Sequence, residues 1–192
     1  MTTRFLHSWL AAALGAGLTL AATLTATDAQ AHDFRLRAGT SAQGSEWRGD
    51  FAGYGSLELG VRFADVAGVY IGGHEGYGIV DDRLLTLVTL GGQVWLDYGR
   101  FRPYAKLGFV HQHEESLSVV ANDFGSAIFG IGDGIRHRAG GELGLGLDIA
   151  VWEREDFELF ASVSADARLF PDDLGPLVYA GGGLGVGFNY AL

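Results

Sequence analysis

Apolar and polar residues alternate along most of the chain beyond residue 32. The pattern is clearest in residues 136–152, where Leu143, Leu145 and Leu147 take every second position and glycines lie between them. A period of two residues indicates a β-strand whose faces meet different surroundings. Eight such segments are predicted as strands, and they cover the following residues: 34–41, 56–64, 69–76, 83–98, 103–114, 136–152, 157–170 and 177–192.

The predicted connections alternate in length. Those after the second, fourth and sixth strands are short, and the others are generally longer. Residues 43–55 are predicted to be a polar, glycine-rich loop, and residues 115–135 form the longest connection. Gly91-Gly92 predicts a bend or bulge within the fourth strand. Together these features predict an antiparallel sheet with tight turns at one end and longer loops at the other.

The last predicted strand has one apolar face and one glycine-rich face. Tyr190, Phe188 and Val186 alternate with small residues such as Gly187 and Gly185. Glycine weakens an ordinary strand unless another group approaches closely or the strand must bend. The inside of a narrow barrel is a place where such close approach is required.

This strand also resembles the C-terminal strand of bacterial outer-membrane β-barrels. That family places a glycine before two large apolar residues separated by one position, and Gly187, Tyr190 and Leu192 have this spacing. Leu192 is a departure, because the family most often ends in Phe or Trp. The resemblance implies that the barrel-assembly machinery reads these residues as an assembly signal.

The whole pattern after residue 31 resembles the small eight-stranded outer-membrane family of the OmpA/OmpX type. The resemblance implies an all-β fold, an eight-stranded antiparallel up-and-down transmembrane β-barrel. It also implies an outer-membrane location, contact with membrane lipid and lipopolysaccharide, and a monomer. Backbone polar groups cannot be left open in hydrocarbon, so such a sheet must close on itself.

Residues 1–31 are predicted to be a cleaved signal peptide. Arg4 provides a positive start, residues 9–24 are apolar, and Ala29-Gln30-Ala31 is a small-x-small cleavage site before His32. Export through the periplasm is therefore expected. Residues 32–192 would form one mature barrel domain.

Composition narrows the possible functions. The chain has no cysteine, so disulfides and thiolate metal sites are excluded. Its formal net charge of −10 argues against nucleic-acid binding, which needs a basic surface. No nucleotide, haem or flavin motif is present, and no cofactor is expected.

An eight-stranded barrel is only wide enough for its own side chains. Charged residues on the inward phase are predicted to form a hydrogen-bonded plug, because an unpaired buried charge is strongly unfavourable. A narrow ion path is the alternative. The predicted interior network consists of Glu58, Arg62, Lys106, Glu142, Asp148, Glu158, Asp166 and Arg168.

Histidines form the one other chemically active cluster. His111 and His113 share the outward phase of the fifth strand, and a hairpin would bring His137 close to them. Three imidazoles are suitable ligands for Zn, Cu or Ni. When protonated, they are suited to contact lipopolysaccharide phosphates instead. A polar rim without a specific ligand is the third interpretation. The charged residues expected nearby are Glu114, Glu115, Arg136 and Arg138.

These observations predict a small outer-membrane barrel with a structural or surface-interaction role, a filled interior and extracellular loops available for binding. One alternative is a lipid A-modifying enzyme, although Ser116 and Ser118 do not have the His-x-Ser spacing of the deacylase family relative to His113. Another is a soluble, lipocalin-like periplasmic barrel, whose apolar faces would point inward around a ligand.

Overall fold

The computed structural model describes residues 32–80, 82–122, 125 and 134–192. Each strand pairs antiparallel with the next, and the last pairs with the first, so the sheet is a closed barrel. The elements are β1 (His32–Ser45), β2 (Phe51–Phe63), β3 (Ala67–Gly78), β4 (Arg83–Trp95), β5 (Phe101–Ser116), helix α1 (Leu117–Asn122), β6 (Arg136–Arg154), β7 (Phe157–Leu169) and β8 (Val178–Ala191).

The predicted eight-stranded antiparallel up-and-down barrel is therefore confirmed. Closure is continuous along β1 and β8, which pair from Asp33 opposite Ala191 to Ser45 opposite Tyr179. Closing the sheet removes both edges and satisfies the backbone of the first and last strands. The predicted signal peptide, residues 1–31, lies outside the described residues. No helix among the described residues is long and apolar enough to cross a membrane.

Several strands are longer than the alternation predicts. Residues 43–55 were expected to be a loop, but Gln43 pairs with Ala52 and continues the ladder of β1 and β2. The expected bulge at Gly91 and Gly92 is also wrong, because their register with β5 is unbroken. A β-carbon on Gly91 would lie 2.7 Å from the hydroxyl of Tyr70, so this glycine makes room for a side chain.

The irregularity lies elsewhere, in β6, where the register shifts between Ala150 and Trp152. Such a bulge places an extra residue in one strand and increases its local twist. Helix α1 was also not expected; it follows β5 directly, within the predicted long loop. Most of the rest of that loop, 123–124 and 126–133, lies outside the described residues.

The two faces of the sheet are distributed as the alternation predicts. Leu145 and Leu184 are 61% and 68% exposed on the outside, whereas Lys106 is only 3% exposed on the inside. Apolar side chains cover the outer surface and charged ones fill the centre, the reverse of a water-soluble barrel. The lipocalin-like alternative, with apolar faces turned inward, is therefore wrong.

Glycines make room for the large inward side chains. A β-carbon on Gly146 would collide with the ring of Tyr104 and lie 2.6 Å from the carbonyl oxygen of Val163. The Tyr104 hydroxyl accepts a hydrogen bond from Arg37 at 2.6 Å, so the ring is held in place. Gly73, on the outer face, has no atom within 4 Å of such a position.

Gly146→Ala is expected to lower the free energy of unfolding by about 1–3 kcal/mol, because overpacking forces tightly held groups apart. Gly73→Ala is the matched control and is expected to leave stability unchanged or slightly improved. Urea unfolding of the refolded barrels, followed by tryptophan fluorescence, measures both. Equal stability of the two variants would contradict the close packing at Gly146.

Candidate functional site

Chemically active side chains of the barrel form two groups. One is the interior ion-pair network, which fills the barrel. The other is the histidine cluster, defined as His111, His113 and His137 on the outer face of β5 and β6.

Lys106 lies at the centre of the interior network. Its Nζ is 2.9 Å from a carboxylate oxygen of Glu142, 3.1 Å from Asp166 and 3.4 Å from Glu58. These partners come from β6, β7 and β2, so one ammonium group links strands on several sides of the barrel. Such a group is stable in a buried position only because its charge is matched there.

Two arginines complete this central layer. Arg37 is 2.7 Å from Glu58, and Arg168 is 3.0 Å from Glu142. With Lys106 they provide three cations against three carboxylates, so the layer carries no net formal charge. Tyr70 donates a further hydrogen bond to Glu142 at 3.3 Å. Compensation of this kind lets the charged groups remain buried.

A second layer lies toward the short-turn end of the barrel. Arg35 is 2.7 Å from Asp148, which also accepts a hydrogen bond from the indole nitrogen of Trp95 at 3.0 Å. Arg62 pairs with Asp33. Arg102 pairs with Glu158, which in addition accepts a hydrogen bond from Asn189.

A third layer lies toward the long-loop end. Arg83 bridges Asp50 at 2.9 Å and Glu114 at 3.0 Å. Arg138 also contacts Glu114 at 3.0 Å and reaches Asp172 at 2.9 Å. Ion pairs therefore extend through the interior from one end of the barrel to the other.

All eight residues predicted for the interior network are buried, and each takes part in an ion pair. Those pairs lie in the central layer and in the layer toward the short-turn end, and none lies in the third layer. The prediction missed further members, which are Asp33, Arg35, Arg37, Asp50, Arg83, Arg102, Glu114 and Arg138. The signal for Arg35 and Arg37 was present, because they alternate with Phe34 and Leu36.

Two charged residues expected beside the histidines are inside the barrel instead. Glu114 and Arg138 are 3% and 1% exposed and pair with each other, because they lie one residue out of phase with the histidines. Arg136 also contacts Glu114, at 3.3 Å. Glu115 has the outward phase, and its carboxylate oxygens are buried without a hydrogen-bond partner among the described residues.

The histidine cluster is assembled by strand register. His113 and His137 are directly opposite each other on β5 and β6, and His111 lies two residues away on the same face. The ring centroids are 4.7 Å apart for His113 and His137, and 4.8 Å apart for His111 and His113. One ligand nitrogen from each ring lies within 4.8 Å of the other two. The structure therefore brings together the three residues that the sequence predicted as a group.

Polar side chains on two neighbouring strands lie in the same cross-strand row as His113. Thr86 of β4 is opposite His113, and Glu75 of β3 is opposite Thr86. Thr86 donates a hydrogen bond to the Glu75 carboxylate at 3.0 Å. Phe109 and Leu143, closer to the middle of the barrel, are more than half exposed. The cluster thus lies closer to the long-loop end than these two residues, with the exposed Val88 opposite His111.

The predicted assembly signal lies on both faces of β8. Tyr190 and Leu192 are exposed, at 48% and 75%, whereas Gly187 is buried. A β-carbon on Gly187 would collide with Phe160 and with the carbonyl oxygen of Leu36, so packing alone requires glycine here. Recognition by the assembly machinery stays a prediction.

The serines considered for an enzyme are not arranged for catalysis. The hydroxyls of Ser116 and Ser118 are hydrogen-bonded to each other at 2.8 Å. Among the described residues, no hydrogen bond joins a serine to a histidine ring, the contact on which an activated serine depends.

The fold is that of the small eight-stranded outer-membrane β-barrels. The N-terminal β-barrel domain of Pseudomonas aeruginosa OprF is similar, with a TM-score of 0.55 and 19% identity over 84% of this chain and 99% of that domain. Neisserial surface protein A has a TM-score of 0.54 and 15% identity, over 84% and 97%. Ail of Yersinia pestis has a TM-score of 0.51 and 13% identity, over 85% and 99%. No protein-family model and no curated protein sequence matches the chain.

Lys106→Met is expected to lower the free energy of unfolding by about 3–5 kcal/mol, because it leaves buried carboxylates without their shared cation. Arg154→Met is the matched control, since Arg154 is exposed at the end of β6; a change within about 0.5 kcal/mol is expected there. Equilibrium unfolding of both refolded variants provides the measurement. A Lys106→Met barrel as stable as the parent would show that the carboxylates do not depend on this lysine.

Proposed function

We propose that this protein is a sealed β-barrel of the bacterial outer membrane that holds surface loops in place and does not conduct solutes. The observation that carries this proposal is the central layer around Lys106, where matched charges fill the cross-section of the barrel.

The outer surface supports a membrane location. Its exposed side chains are mostly leucines and valines along the strands, and exposed aromatic residues lie toward both ends of the barrel. Tyr98, Phe101, Trp152 and Tyr190 lie near the short-turn end, and Trp47, Phe51 and Tyr77 lie near the long-loop end. Aromatic side chains of this kind favour the boundary between lipid and water, and leucine favours the hydrocarbon. The predicted signal peptide supports export to the same compartment.

The small cavities of the interior support a barrel that is closed to ions. A cavity of about 20 Å³ is lined by Arg37, Lys106 and Asp166, among others, and another of about 10 Å³ lies near Arg35 and Trp95. A single water needs roughly 10–15 Å³. Neither cavity therefore has room for more than one or two waters, whereas ion conduction needs a continuous file of them.

The loops at the long-loop end are held to the barrel, and this supports a role in surface interaction. Arg138 donates a hydrogen bond to the carbonyl oxygen of Pro176 at 2.7 Å, which ties the connection between β7 and β8 to the barrel interior. The Glu46 carboxylate accepts hydrogen bonds from the backbone amides of Leu177 and Val178. Partial burial raises the pKa of Glu46, but these amides outweigh it and hold that pKa below its usual value.

Loops fixed on a rigid scaffold commonly carry binding. We therefore propose surface interaction as the role of this end of the barrel. Membrane lipid, lipopolysaccharide and the assembly machinery are the proposed partners, and a monomer is the proposed state.

Leu145→Arg is expected to lower the free energy of unfolding in phospholipid vesicles by about 2–4 kcal/mol, because a charge on the lipid-facing side is unfavourable near the bilayer centre. Leu174→Arg makes the same chemical change at an exposed loop position and is the matched control. Denaturant titration in vesicles measures both. Equal effects of the two substitutions would contradict a membrane-spanning outer face.

Planar-bilayer recording tests the seal. Pure refolded protein is expected to give no steady conductance, because the central layer blocks the water path. Replacing Arg37 and Glu58 together by serine removes one cation and one carboxylate from the central layer and is expected to produce current steps that the parent lacks. Reproducible steady conductance from the parent protein would overturn the proposal.

A further inference from the structure

The histidine cluster is a group of three imidazoles on the outer face that the sealed barrel does not use. We infer that it binds one divalent transition-metal ion, with Zn²⁺ as the expected ion. This inference goes beyond the proposed function and does not depend on it, because the cluster lies outside the interior ion-pair network.

The separation of the three rings suits a metal. Tetrahedral zinc with Zn–N distances of about 2.0–2.1 Å places its nitrogens about 3.3 Å apart. The three candidate nitrogens already lie within 4.8 Å of one another. Small rotations of the imidazoles close this gap, and the backbone of β5 and β6 keeps its register. The strand ladder therefore holds the ligand set close to the required arrangement before any ion binds.

The hydrogen bonding of the rings leaves their nitrogens available. Nδ1 of His113 is buried and has no hydrogen-bond partner among the described residues. The three rings meet one another edge-on or tilted instead. A buried polar atom left unpaired is unfavourable by about 1–3 kcal/mol. A metal ion bound through this nitrogen would satisfy it, and a metal bound by all three rings would explain why they face each other.

The surrounding charge favours a cation over a phosphate. Glu75 is held by Thr86 in the same row as His113, and Glu115 lies two residues beyond His113 on the same outward phase. Arg138, expected beside the cluster, is turned into the barrel and paired there. The remaining positive neighbour, Arg136, contacts Glu114. The exposed carboxylate of Glu75 on the outer face favours a divalent cation and opposes the phosphates of lipopolysaccharide.

Three imidazole ligands also define the type of site. Histidine nitrogen is a preferred ligand of zinc, and three protein ligands leave a fourth tetrahedral position for water or another group. Copper and nickel share the preference for imidazole, and copper binds such sites more tightly than zinc. Selection of zinc over copper would follow from the supply of each metal and not from the ligands.

Isothermal titration with zinc chloride tests the inference on the full chain, expressed with its own N-terminus, purified in detergent and freed of metal with a chelator. One saturable zinc site per chain is expected. His113→Ala and, separately, His137→Ala should weaken it by more than about tenfold, since loss of even an outer-shell partner reduces affinity 10–100-fold. Leu143→Ala is the matched control, because Leu143 is an exposed side chain on the same outer face of β6 that cannot bind a metal, and it should leave that site unchanged.

Cobalt provides a spectroscopic readout that is independent of the heat of binding measured by calorimetry. Co²⁺ in the parent protein should give the intense visible bands of a tetrahedral site, and both cluster variants should lose them. Heat-dependent gel mobility establishes that each variant is a folded barrel. His137 is an exposed side chain, so its replacement keeps the test valid should His113→Ala fail to fold.

Two outcomes would overturn the inference. One is the same zinc affinity in the parent and in both folded cluster variants. The other is weaker binding of the variants to lipopolysaccharide vesicles without any saturable zinc binding by the parent, which would assign the cluster to phosphate contact. Neither outcome bears on the bilayer recordings, so failure here is distinct from failure of the sealed-barrel proposal.

Discussion

Closure of the sheet between β1 and β8 is the constraint from which the rest of the structure follows. Thirteen residue pairs, from Asp33–Ala191 to Ser45–Tyr179, join the first and last strands and leave no open edge. Eight strands closed in this way enclose a space that only side chains can fill. Every second residue must therefore fit inside a narrow tube, and every other one must lie outside it.

The interior meets this constraint mainly with ion pairs and glycines, beside a small apolar cluster that includes Leu85, Leu87 and Phe170. Large inward side chains such as Tyr104 and Phe160 need space, and Gly146 and Gly187 opposite them provide it. Aromatic rings also pack against the guanidinium groups, with Arg35 3.9 Å from the Phe160 ring centroid and Arg138 4.6 Å from that of Phe170. Ion pairs add less net stability than an apolar core would, but breaking one is strongly unfavourable.

A filled interior leaves the outside and the loops to carry any specific activity. The histidine cluster has this position, on the outer face of a paired β5 and β6 toward the long-loop end. The loops at the same end are tied to the barrel through Arg138 and Glu46. Structural stability and surface chemistry are thus separated, because the two faces of each strand point in opposite directions.

The alternation of Leu143, Leu145 and Leu147 with glycines, and of Phe34 and Leu36 with arginines, was enough to predict eight strands and the face that most of their residues take. It did not predict the full length of β1 and β2. It placed the three histidines on one outward face for the same reason, since phase along a strand is a local property. The identity of ion-pair partners was decided only by the tertiary structure. Lys106 meets carboxylates from three other strands, and Arg83 meets Asp50 from a loop. Partners across a barrel depend on stagger and closure, which no local pattern contains.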